Sequence, residues 1–522
     1  MIRAGRNLHR LVSIARVLAR HDALFLIEEA FPLARLLSWP LKVRLIPRSR
    51  RRRKAEAGLR PGQRLTAALT ELGPSFIKLG QALSTRADLL GEQMAADLSG
   101  LQDQLPPFPA AEARRIIEEE LGAPISSLYS SFDDVPVAAA SIAQVHFAVT
   151  LDGREVAVKV LRPGVDAKFR RDIELLTWLA EGAERTVPRL RRLKPLETVK
   201  TFEDSIALEM DLRFEAAAAA ELAENFQDDD SFRVPQVDWL RTARRVMTLE
   251  RVHGIPVDER DLLLRAGHDP IEILGKAARA FFHQVFRDGF FHADMHPGNL
   301  FVDADGNLVA VDFGIMGRVD KPTRRFLGEM LLGFLSGDYR KVAEVHFAAG
   351  YVPADQSIDA FTQACRSIAE PILGRPMQEI SIARLLGQLF QITETFEMET
   401  QPQLLLLQKS MLVAEGVGRN LDSNVNMWLL AQPLIEDWMR AHLGPEARVR
   451  EAVGTVLTSI ERLPRLLQEA ERTQAMMSGQ GLRLHPDTVR AIFGDQRRRR
   501  PLVSLLPWAI AAALAVALVM KP

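Results

Sequence analysis

The sequence predicts an α+β fold of two lobes, one built on a sheet and one mostly helical, with a helical extension in front and a single membrane-spanning helix at the C-terminus. Three observations carry this. Strand-like runs of valine and small residues fall at 135–160 and again at 232–258, ahead of a long stretch of helical texture, which is the order expected of an α+β chain. Within 61–125 the apolar residues Leu65, Ala68, Leu69 and Leu72 recur at helical spacing. From Leu502 to Met520 there are 19 residues without a charge. As a helix these span about 28 Å, against a bilayer core of roughly 30 Å.

The bulk numbers set the frame. With 522 residues, 47% of them apolar, the chain can fill two or three domains. Basic and acidic residues balance, 67 against 67, so net charge selects no partner and no nucleic-acid partner is expected. One cysteine, Cys365, excludes an internal disulfide and fits a reducing compartment. At the N-terminus Arg3, Arg6, Arg10, Arg16 and Arg20 break every apolar run, unlike a secretory signal.

Taken in order, residues 1–60 form a basic, amphipathic segment. The apolar stretch 24–46 is interrupted by Pro32 and Pro40 and leads into Arg48, Arg50, Arg51, Arg52, Arg53 and Lys54. This reads as an interfacial segment facing anionic headgroups. Residues 61–125 form the helical extension, with Gly73-Pro74 as a breaker and an acidic helix over Glu112–Glu120. Residues 126–255 form the sheet lobe, in which Asp152-Gly153 turns a hairpin between Val135–Val149 and Arg154–Val160. One helix is expected over Phe202–Asn225 and another over 271–289. The helical lobe covers 256–490, with strands Leu300–Val302 and Leu308–Val311 flanking the turn Asp303–Asn307 and helices from Pro322 to about Met477. Residues 497–522 are the anchor. Arg497–Arg500 precede it and Pro507-Trp508 suit an interfacial entry, which places the folded body on the cytoplasmic side.

The chemistry is concentrated in His292-Ala293-Asp294-Met295-His296-Pro297-Gly298-Asn299, followed by Asp312-Phe313-Gly314. A carboxylate, an amide five positions on and a second carboxylate 18 positions on, reached through a hairpin, is the layout of protein kinases. Phosphoryl transfer needs a positioned nucleophile, a role for Asp294, and Mg²⁺ ligands, a role for Asn299 and Asp312. Upstream, Glu155-Val156-Ala157-Val158-Lys159 is a strand ending in lysine. Alternation puts Lys159 on the face of Ala157 and Glu155, with the valines opposite. Its ammonium can pair with nucleotide phosphates if a carboxylate holds it. Glu209, Asp211 and Glu215 on the expected helix Phe202–Asn225 are candidates, and Asp211 and Glu215, four apart, share a face of it. The loop before this strand, where kinases carry glycine, reads Ala138-Ala139-Ala140-Ser141, which restricts its backbone.

That loop, together with Lys78-Leu79-Gly80-Gln81, resembles the UbiB family of atypical kinases, whose eukaryotic relatives support coenzyme Q synthesis. The family's Lys-x-Gly-Gln motif is matched by Lys78, Gly80 and Gln81, its alanine-rich loop by Ala138–Ser141, its Glu-x-Asp motif by Glu209 and Asp211, and its lysine-pairing glutamate by Glu215. Asp294, Asn299 and Asp312 match its catalytic and metal-binding positions. The resemblance covers roughly residues 60–330. It implies a protein-kinase-like fold, ATP and Mg²⁺ as cofactors, and an extension folded over the site, with Lys78 near Glu209 and Asp211. That arrangement favours small or lipid substrates, or ATP hydrolysis, over protein phosphorylation. It further implies a role in ubiquinone biosynthesis at the inner membrane, with isoprenoid quinone precursors, the membrane and other enzymes of that synthesis as partners. Two readings stand beside it: a phosphotransferase of aminoglycoside- or choline-kinase type, which uses a similar His-x-Asp-x-His-x-x-x-Asn loop, and a nucleotide-binding scaffold without turnover.

Overall fold

The alternating run Ala143–Thr150 and the valine strand Glu155–Leu161 bury every second side chain, and the sheet lobe grows around that hairpin. The computed structural model describes residues 2–23, 58–84, 92–99, 101, 105–186, 195–229, 231–371 and parts of 388–440. The elements below lie in one compact unit, Met1–Glu436. Among the described residues no helix is long and apolar enough to cross a membrane. The anchor expected at 502–520 and the basic segment at 24–54 lie outside the described residues.

The extension comprises α1 (Ile2–Arg20), α2 (Pro61–Leu72), α3 (Pro74–Ser84) and α4 (Glu92–Ser99). Gly73, at φ +97°, ends α2 and Pro74 opens α3, since proline is suited to a helix's first turn. Leu65, Leu69, Leu72, Phe76, Leu98 and Leu101 share a core with Ile14 of α1 and with Leu175. At Gly80 a Cβ would meet Leu101 Cδ1 at 2.4 Å and Leu69 Cδ1 at 2.7 Å, so any side chain beside Lys78 would have to displace these two leucine tips.

Helices α5 (Ala110–Leu121) and α6 (Ile125–Leu128) lead into β1 (Tyr129–Phe132), β2 (Ala138–Ala139), β3 (Ala143–Thr150) and β4 (Glu155–Leu161). Then come α7 (Val165–Thr186), α8 (Pro195–Glu209), α9 (Leu212–Asn225), β5 (Phe232–Arg233), β6 (Val246–Glu250) and β7 (Ile255–Pro256). The main sheet runs β1-β3-β4-β6 with β2 on β3. Val156, Val158 and Val160 pack with Ile116 and Ile117 of α5, which leaves the Lys159 face for the cleft. The helix expected over Phe202–Asn225 is two helices. Asp211 breaks it with extended backbone and caps α9, its side chain accepting from Arg213 N–H, as N-terminal aspartates do. Asp211 and Glu215 therefore do not sit as neighbours on one continuous helix face.

The second lobe begins with α10 (Arg260–Arg265) and α11 (Pro270–Phe282), which runs into a π-helical turn over His283–Asp288 and ends at Gly289, φ +69°. Strand β8 (Phe290–His292) pairs with β11 (Met316–Arg318). Between them β9 (Leu300–Val302) and β10 (Leu308–Ala310) form the hairpin of a four-stranded sheet, β5-β10-β9-β7. The strands expected over 232–258 thus divide between two sheets. Helices α12 (Lys321–Ser336), α13 (Tyr339–Ala348), α14 (Ile358–Ala369) and α15 (Pro402–Leu421) complete the lobe.

Candidate active site

The sheet brings Lys159 to the cleft, and two carboxylates meet it there. Lys159 Nζ donates to Glu215 Oε1 at 2.6 Å and to Asp312 Oδ1 at 3.2 Å. Glu215, in the first turn of α9, is buried, whereas the Asp312 side chain is 47% exposed, so one carboxylate fixes the ammonium from behind and the other faces the cleft. Burial opposes the charge on Lys159, but Asp312 and Glu215 outweigh it and hold the ammonium above the ordinary lysine range. Burial, helped by the Asp312 charge, pushes Glu215 up to about 7 against the pull of Lys159. Burial would also raise Asp312, yet Lys159 and then Lys78 draw its carboxyl well below the usual range. Asp312 is therefore an ionised, half-open carboxylate.

Its backbone is held at φ +62°, a left-handed conformation that aspartate tolerates better than most residues. Two bonds keep it there: the Gly314 N–H reaches Oδ1 at 3.3 Å, and the carbonyl of Asp312 faces His292 Nε2 at 2.8 Å. His292 is fully buried. Its Nδ1 accepts the Asp294 N–H at 3.1 Å, so Nε2 carries the proton and donates to Asp312. Burial lowers the pKa of His292, which keeps the ring neutral. The strand that carries it is steadied by Gln284, buried in the π-helical turn, whose Oε1 accepts the His292 N–H at 2.8 Å. π-helical turns of this kind recur at functional sites.

Asp294 lies at the lip of the same loop, its side chain one-third exposed, and Asn299 donates its amide to the Asp294 carbonyl at 3.1 Å. The amide oxygen of Asn299 is then the atom left to offer a cation. With the Asp312 carboxylate this makes two hard oxygen donors. Among the described residues no group of three or more His, Cys, Asp or Glu side chains is placed to hold a metal. Two donors fit Mg²⁺, which is usually held by one or two protein oxygens together with waters and substrate phosphates. Asn299 and Asp312 would hold the ion.

The alanine-rich loop is tightly tied. Ala138 and Ala139 pair with Val145 and Gln144, and the Ala140 N–H closes a turn on the Ala143 carbonyl at 2.8 Å. Arg162 donates twice to the Ala140 carbonyl, at 2.9 and 2.8 Å, and reaches the Pro106 carbonyl at 2.9 Å. Ser141 is fully buried at the end of the loop. From the extension, Lys78 Nζ lies 2.9 Å from Glu209 Oε2 at the end of α8. Asp211 is committed to its helix cap and to Arg213, 2.6 Å away. Gln81 is half-buried in the next turn of α3, its carbonyl accepting Ser84 Oγ at 2.7 Å.

One residue escaped sequence reasoning. Lys409 Nζ on α15 donates to Asp294 Oδ1 at 2.8 Å. Its signal was a lone cation between the apolar runs Leu404–Leu407 and Met411–Val413, with no motif to tie it to a loop more than a hundred residues earlier.

Comparison with known proteins agrees with this arrangement. Residues 100–346 match the ABC1 atypical kinase-like domain, and residues 365–426 match the UbiB helical domain. A protein of Marinobacter nauticus named "Probable protein kinase UbiB" is 42% identical over 473 residues, 88% of this chain and 84% of that one. Its namesake in Pseudomonas aeruginosa is 43% identical over 476 residues, 90% of this chain and 87% of that one. Among solved structures, a complex of Rv3197 with erythromycin from Mycobacterium tuberculosis shares 27% identity at a TM-score of 0.52, covering 74% of this chain and 98% of that one. With the lysine–glutamate–aspartate cluster set against an Asp294–Asn299 loop, and with relatives matched over most of their length, the chain belongs to the UbiB family of atypical kinases, kinase-like phosphotransferases or ATPases.

Proposed function

We propose that this protein is an ATPase or small-molecule kinase that supports ubiquinone biosynthesis at the cytoplasmic face of the membrane, acting on polyprenylated ring precursors or presenting them to the enzymes that modify them. The observation that carries the reading is the ammonium of Lys159 held between Glu215 and Asp312. A strand lysine fixed by a buried carboxylate and pointed at a metal-binding carboxylate is the phosphate-gripping half of a phosphoryl-transfer site. Bound MgATP supplies the transferable phosphoryl group and the cation that neutralises it. Lys159 grips phosphate oxygens, Glu215 keeps Lys159 in place, and Asn299 and Asp312 hold Mg²⁺. Asp294 orients a water or acceptor hydroxyl and receives its proton. The ion pair of Lys78 with Glu209 supports a role for the extension in covering the site, which suits a small or lipid acceptor. The uncharged stretch 502–520 behind Arg497–Arg500 supports anchorage beside the lipid pool.

The test uses the full chain with Mg²⁺, ATP and lipid. Asp312→Asn should lower phosphate release by about 100-fold or more, the scale on which removal of one electrostatic group at a reacting centre acts. In a strain lacking the protein, wild type should restore ubiquinone and Asp312→Asn should not. Full rescue by the mutant overturns the catalytic reading.

A further inference from the structure

The loop His292–Asn299 contains no lysine or arginine. Its carboxylate nevertheless has a cation, delivered by α15, with Lys409 Nζ 2.8 Å from Asp294 Oδ1. The helix that delivers it is well fixed. It packs on α11 and β11, and Leu407 and Ser410, flanking Lys409, are buried. Its C-terminal end is tied by Arg260 to the Leu421 carbonyl at 3.0 Å and by Asn420 to the Asp258 carbonyl at 2.6 Å. The two side chains are equally half-open, Lys409 at 31% and Asp294 at 34%. An ion pair this exposed contributes little to stability. A lysine placed on a pinned helix for that return calls for another use.

Phosphoryl transfer supplies one. Charge spreads over the equatorial oxygens of the γ-phosphoryl group as it moves, and Asp294, an anion, must stand beside that group to receive the proton of the nucleophile. Lys159 reaches Asp312, not Asp294. We propose that Lys409 is a catalytic residue: its ammonium stands between Asp294 and the γ-phosphoryl oxygens, cancelling the repulsion between the two anions and stabilising the moving charge. The acceptor oxygen bonds to the γ-phosphorus, its proton passes to Asp294, and the bond from that phosphorus to the bridging oxygen breaks, with the electron pair leaving on ADP. Lys409 keeps all its protons throughout. The inference rests on the reading of this site as one that turns over ATP.

The measurement compares two nucleotides in calorimetry, ADP and a non-hydrolysable ATP analogue, on the full-length protein, alongside ATP turnover. Lys409→Met should weaken the analogue about tenfold, the loss of one charge-assisted hydrogen bond, and leave ADP within about threefold. Turnover number should fall about 100-fold, and Lys409→Arg, which keeps the charge, should stay within about tenfold of wild type. Should Lys409→Met fail to fold, Lys409→Gln carries the same expectation, because it can still hydrogen-bond Asp294 without a charge. Equal losses for ADP and the analogue, or turnover at the wild-type rate, overturn the proposal. Failure of the ATP-turnover reading looks different: wild type and Asp312→Asn would then be equally inactive.

Discussion

At the scale of single residues the site is an exercise in holding charges still. Lys159 is fixed because Glu215 is buried behind it, and the alanine-rich loop is fixed because Arg162 clamps the Ala140 carbonyl. In that loop Ala139→Gly should weaken ADP by about two- to fivefold, since glycine gives the free loop roughly 0.5–1 kcal/mol more conformational entropy to lose. An unchanged ADP affinity in calorimetry would remove the loop from the binding account. Most of these residues were legible because each rests on a local rule. Alternation along a strand put Lys159 and the valines on opposite faces, and the spacing from Asp294 pointed to Asn299 and Asp312. Asp211 was misread because its role is set by one backbone break, and an aspartate that caps a helix looks in sequence like one inside it. Lys409 was invisible because only tertiary packing brings α15 to the catalytic loop.

At the scale of elements, the two acid-bearing segments depend on the short ribbon β8–β11. Gly317 of β11 pairs with Phe291 of β8, and a Cβ there would meet the Phe291 ring at 2.2 Å. Phe291 is fully buried and immediately precedes His292, so the ring cannot move aside without disturbing the loop. Gly317→Ala should therefore destabilise the protein by about 1–3 kcal/mol, the usual cost of overpacking a core, and should lower turnover further than the stability loss explains. Denaturant unfolding read beside ATP turnover checks both, and wild-type stability would refute the packing argument. Strand β4 and helix α5 lie close to where the sequence puts them, whereas the strand expected over Val135–Val149 is broken into β2 and β3. The division of β5, β6 and β7 between two sheets does not show in the sequence, because strand partners are chosen by the whole lobe rather than by composition. The π-helical turn that seats Gln284 likewise leaves no periodic trace.

At the scale of the whole molecule, the extension is bound to the kinase-like lobes by a shared core of α1–α4 with α7, and by the buried carboxylate of Asp172, which takes two bonds from Arg10 at 2.8 and 3.0 Å. The proposed cover is thus part of the body, and the proposed membrane contact is assigned to the uncharged stretch 502–520. A chain ending at Gln496 should move from the membrane pellet to the soluble fraction on fractionation while retaining ATP turnover, because the 19 uncharged residues at 502–520 are gone. Retention in the pellet would reassign the contact to residues 24–54. The imidazole of His292 has a mechanical meaning at this scale. One rigid ring bridges the backbone of Asp294 and that of Asp312, so the two chain segments that carry these carboxylates form a single jaw. Whatever flexing admits a fresh nucleotide and expels the spent one must be borne by the opposite jaw, the valine-backed sheet that carries Lys159.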